Sequence, residues 1–126
     1  MKRKKFTQVA DLGTISCEGK CYSVLVFVHA REGMTTTSQE RLDFIASQNG
    51  TLLGWKGVDQ LRGAVPLEKL PRGRQYFSFH AKEGYEISSL STHFSEENVF
   101  GWGSCNFEGK WPDWNGNHGL LLFIEN

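Results

Sequence analysis

The sequence predicts an α+β domain: a mostly antiparallel sheet of about five to seven strands with one main helix, residues 38–48, packed on it. Three observations predict it. Residues 6–28 hold two β-branched and aromatic runs around a short Gly-containing connection, the pattern of a hairpin. Thr37-Ser38-Gln39-Glu40 has capping-box spacing and opens a clear helical pattern. Leu120-Leu121-Leu122-Phe123-Ile124 is apolar on both faces, as a central strand requires.

The elements follow in order. Phe6 to Ser16 is the first strand, and its alternation fails near Leu12-Gly13, where a bulge or bend is expected. Cys17-Glu18-Gly19-Lys20-Cys21 is the hairpin loop. Tyr22 to Val28 is apolar on both faces and so reads as central. In the helix, Leu42, Ile45 and Ala46 share one face with Phe44 beside it, and Asn49-Gly50 is a left-handed stop. Thr51 to Trp55 reads as a short strand. Residues 57–74 are broken by Gly57, Gly63, Pro66, Pro71 and Gly73, with a short helical turn at Pro66 to Leu70. Gln75 to His80 alternates, Tyr76 and Ser78 against Phe77 and Phe79, and pairs through Lys82-Glu83-Gly84 with Tyr85 to Leu90. Asn98 to Glu108 is a bulged strand, 109–118 a loop, and Gly119 to Glu125 the last strand.

A chain of 126 residues fits one domain with one core, here 6–126 behind a basic flexible tail at 1–5. No run approaches the roughly 18 apolar residues of a membrane span, and no h-region follows the Lys-Arg start. Three cysteines suit a reducing compartment, so the expected location is cytoplasmic. The formal charge is zero but segregated: +4 over residues 1–5, −2 over 6–55, +4 over 56–82 and −6 over 83–126. That separation, with exposed sheet edges, points to a homodimer or to a charged partner at a local patch.

Candidate site residues fall in two stretches. Trp102, Trp111, Asp113, Trp114, Asn115 and His118 combine flat indole faces with amide, carboxylate and imidazole groups, which suits a small polar ligand such as a sugar or nucleobase. Arg72, Arg74 and Tyr76 place forked donors beside a stacking ring, as in binders of single-stranded nucleic acid. A net −4 outside residues 1–5 argues against that second use. Cys17 and Cys21 flank the hairpin loop, with Cβ atoms roughly 5 Å apart if they oppose each other. One such pair with a solitary Cys105 lacks zinc-ligand spacing, so no metal and no cofactor is expected. His29 and His80 end strands, but no G-x-S-x-G, H-E-x-x-H, P-loop or dinucleotide-binding motif occurs. The reading is a non-catalytic binding or protein-interaction module. The alternatives are a small-molecule-binding domain or enzyme with its pocket near 102–118, and a nucleic-acid binder through 62–76.

Overall fold

The protein is described as a computed structural model covering residues 4–64, 75–79, 86–91, 101–106, 114 and 118–126. It is α+β. Strands β1 (Phe6–Cys17), β2 (Lys20–His29), β3 (Gln75–Phe79), β4 (Glu86–Ser91), β5 (Gly101–Asn106) and β6 (His118–Glu125) form one sheet, ordered β1-β2-β6-β3-β4-β5. Helices α1 (Ser38–Ser47) and α2 (Trp55–Ala64) complete the described elements.

The hairpin turns on two residues, Glu18 and Gly19, rather than the three between Cys17 and Cys21. Glu18 (φ 50°) and Gly19 (φ 80°) are both left-handed, the turn whose twist matches paired strands. Cys17 therefore faces Lys20, and Cys21 faces Ser16. One residue of register puts Cys17 in the core and Cys21 in solvent, and both are free thiols.

Two bulges in β1 explain how one strand feeds both faces. The register shifts between Gln8 and Ala10 and again between Asp11 and Gly13, whose φ of 86° admits the second kink. The first extra residue reverses the alternation and moves Ala10 to the face opposite Phe6; the second reverses it again, so that Ala10, Leu12, Ile15 and Cys17 all pack on that opposite face. Val9, the extra residue of the first bulge, is left 39% exposed.

The sheet has a helix on each face. On one, α2 supplies Val58 and Leu61 to Val24, Val26, Tyr76, Leu121 and Phe123. On the other, α1 supplies Ile45 to Phe27, Phe77, Phe79, Leu120 and Leu122. Strands β2 and β6 contribute alternate residues to both, which accounts for their unbroken apolar runs.

The sheet is mostly antiparallel, with one parallel contact: β6 runs antiparallel to β2 and parallel to β3, joining the two hairpins. Two expectations need correction. Residues 51–55 make single bridges instead of a strand: Thr51 bonds to Phe123, and Gly54 (φ 58°) turns the chain into α2. Among the described residues there are two ten-residue helices instead of one main one. Two glycines make α2 look like loop in sequence. At Gly57, however, a Cβ would overlap the Phe123 ring, so glycine there lets the helix approach the sheet. The turn expected at Pro66 to Leu70 and the loop at 109–113 and 115–117 lie outside the described residues.

Candidate functional site

Helix α1 is fixed at its start by local chemistry. Thr37 Oγ1 accepts from the Glu40 amide at 3.1 Å, and Glu40 Oε1 accepts from the Thr37 amide at 3.2 Å. Glu40 also binds Lys5 Nζ at 2.6 Å, and the Lys5 carbonyl accepts from Ala30 N. Lys4 and Lys5, assigned by sequence to the tail, are thus tied to α1 and to the end of β2. The Lys5 bond is the main reason the Glu40 carboxyl sits below its ordinary range.

The inward face of α1 carries Arg41, Ile45 and the half-buried Leu42 and Phe44, while Ala46, expected inside, is exposed. Arg41 is fully buried, 0% exposed, and no described carboxylate pairs with it. Its partners are neutral. Nε donates to Thr36 Oγ1 at 3.1 Å, Nη2 to the His118 carbonyl at 2.7 Å, and Nη1 weakly to the Gly119 carbonyl at 3.5 Å. The guanidinium also lies 4.8 Å from the Trp114 ring centroid and 5.6 Å from that of Phe6. Burial lowers its pKa to about 9, which still leaves it charged at neutral pH.

This charge dictates the state of His29, which is 7% exposed. Arg41 Nη2 stands 3.2 Å from His29 Nε2, and an arginine can only donate, so Nε2 must accept. Thr36 Oγ1, 2.8 Å away and already accepting from Arg41, gives its hydroxyl proton to the same nitrogen. The imidazole is therefore neutral with its proton on Nδ1, near the Met34 backbone but without a hydrogen-bond partner among the described residues. Burial, then Arg41, pushes both His29 and His118 below the ordinary histidine range.

Trp114 closes the cluster. It exchanges two backbone bonds with Thr36, Thr36 N to Trp114 O at 3.0 Å and Trp114 N to Thr36 O at 2.7 Å. Its ring is fully buried, edge-on to Phe77 at 4.7 Å and to His118 at 5.5 Å. Of the sequence-predicted site residues, Trp114 and His118 therefore meet around Arg41, with Trp114 as core wall and no exposed indole face. Tyr76 is buried in the core of the opposite face, its ring over Gly119. Trp102 has its backbone in β5, opposite Leu90. The side chain of Trp102, together with Arg72, Arg74, Trp111, Asp113 and Asn115, lies outside the described residues.

Beside the cluster runs an open groove of about 690 Å³ between α1, the start of β1 and the second half of β2. Phe6, Phe27, Leu25 and Phe44 form its floor, with Phe44 4.7 Å from Phe6 and 5.0 Å from Phe27. Lys4, Lys5, Glu40 and Asp43 charge its rim. Sequence reasoning missed both the groove and Arg41. Arg41 lies three residues before Phe44 and four before Ile45, and His29 two after Phe27, so periodicity put both on inward faces. Charge made them read as surface.

Among the described residues no cluster of His, Cys, Asp or Glu could hold a metal, and no helix is long and apolar enough to cross a membrane. No protein-family model, curated protein or solved structure matches the chain.

Proposed function

We propose that the chain is a non-catalytic interaction module that receives an extended polypeptide segment in the groove between α1 and β1. The groove carries this reading: its volume lies in the range of specific binding sites, and its floor is apolar beneath a rim of both charges. β1 is the outer strand, and Phe6 to Gln8 line the groove before the first bulge. Their outward backbone groups can bond to an added strand while alternate side chains of that strand rest on Phe44 and Leu25. A rim of mixed sign offers a phosphate backbone no broad positive field, which disfavours nucleic acid here.

The expected homodimer would need a face other than the middle of β1, whose two bulges interrupt the edge that a second copy would pair with. The test is selection from a display library of random twelve-residue peptides, followed by amide-shift mapping of the best binder. Shifts centred on Thr7, Gln8, Asp43, Ser47 and Gln48, lost in Ser47→Trp, support the groove. Shifts centred elsewhere, or no peptide binding more tightly than about 1 mM, sink the reading.

A further inference from the structure

We propose that the Arg41–His29 contact is an acid-sensitive latch: protonating His29 releases Arg41 and loosens α1 from the sheet. Its consequence for binding rests on the groove reading, because α1 forms one wall; the latch itself does not.

The argument begins with donors and acceptors. His29 Nε2 accepts from Arg41 and from Thr36, so it is the nitrogen a second proton must occupy. Once protonated it can accept from neither. The Arg41 bond breaks, the Thr36 hydroxyl must turn, and two positive charges stand about 3 Å apart in a buried core. Lysine could retreat by losing its proton, but a guanidinium does not do so near neutral pH. Relief must come from movement.

The Met34 backbone favours the charged form of His29, and the charged and titratable groups around it add little to that. From α1 it faces Arg41 and, farther off, Glu40, the one described carboxylate in its field, which Lys5 and the Thr37 amide already hold. From β6 it faces His118, itself disfavoured as a cation by Arg41. From β1 it faces the Phe6 ring at 5.8 Å. Movement of Arg41 would reach far along the chain. The same guanidinium binds the His118 and Gly119 carbonyls at the start of β6 and the Thr36 hydroxyl beside the Trp114 clip. Both depressed histidines act with the same sign. Stability is complete above about pH 6.5, the ordinary histidine value, and falls below it because the unfolded chain takes up protons that the folded chain resists.

The experiment is amide hydrogen exchange on the whole chain at pH 7.5 and 5.5, corrected for intrinsic rates, in wild type, His29→Gln and His118→Gln. Glutamine can accept from Arg41 and cannot take the proton. The latch predicts that acid speeds exchange in α1 at least tenfold more than in β2, that H29Q removes this excess, and that H118Q keeps it. Equal acceleration of helix and strand, or an excess that survives in H29Q, overturns it. Should H29Q fail to fold, imidazole titration in wild type decides. A His29 midpoint below the ordinary histidine value that coincides with α1 amide shifts supports the latch; an ordinary midpoint, or titration without helix shifts, refutes it. Peptide binding enters none of these readouts, so failure of the latch and failure of the groove reading remain separate results.

Discussion

The two faces of the sheet solve the same packing problem with different chemistry. Against α2, β2 and β6 present Val24, Val26, Leu121 and Phe123, and the buried cluster holds aliphatic side chains, rings and one thiol. Against α1 the same strands present Phe27, Leu120 and Leu122, but a guanidinium and two imidazoles share the space. Alternation along two strands produced both faces, so backbone pattern does not explain the contrast. Burying Arg41 without a described carboxylate costs several kcal/mol, which the carbonyl and hydroxyl acceptors and the Trp114 face offset. The α2 face is a stable base. The α1 face holds its helix by contacts that depend on protonation, and the open groove lies there.

The largest effects should come from one truncation on each face. Phe123→Ala should cost about 3–5 kcal/mol in urea unfolding, as lost burial plus a cavity. Arg41→Ala should cost a similar roughly 3–5 kcal/mol, because two carbonyls and a buried hydroxyl lose their donor. The pH dependence separates them. F123A should keep the wild-type loss of stability between pH 7.5 and 5.5, whereas R41A should lessen it, since burial still disfavours the charged histidines but His29 and His118 no longer face a fixed cation. Parallel pH profiles for the two variants would erase the distinction between the faces.

That distinction was half visible in the sequence. The central strands, the hairpin, the kink at Leu12-Gly13 and the α1 cap follow from periodicity and from residues with fixed local chemistry. Helix α2 stayed hidden because Gly57 and Gly63 argue against a helix by propensity, and only the Phe123 ring overhead shows why one of them is there. The site was less legible still. The sequence marks Trp114 and His118 as candidate ligand groups, and the structure places both at Arg41 with the Trp114 ring buried. Arg41 was passed over because a charge on a helix ordinarily faces water, and only the assembled core places it 4.8 Å from an indole.

An intermediate effect tests the seam between the faces. Gly119 pairs with Tyr76 across the parallel β6–β3 contact, and a Cβ there would overlap the Tyr76 ring. Gly119→Ala should destabilise by about 1–3 kcal/mol by overpacking. It should do so without changing the pH profile, because Tyr76 belongs to the α2-side core. Thr37→Ala is expected to cost about 1 kcal/mol through loss of the α1 cap. That loss should appear as faster exchange in the first turn of α1 and leave α2 unaffected.

The smallest expected effect concerns the outer strand. Val9 is the one large hydrophobic among the described residues that is exposed, and it stands at a bulge where the pairing register breaks. As the exposed extra residue of a kink on a sheet edge it contacts little, so Val9→Lys should change stability by less than about 0.5 kcal/mol. Sedimentation should then give the same species for wild type and variant, near 14.3 kDa if the chain is monomeric. A wild-type dimer dissociated by V9K would mean that the bulge is no guard and that β1 meets a second copy. The groove would then open onto that copy, and its occupant would have to be sought in the partner's own chain. If V9K is silent, the bulges keep the middle of the edge single, and Phe6 to Gln8 remain the stretch of β1 where an added strand can bind.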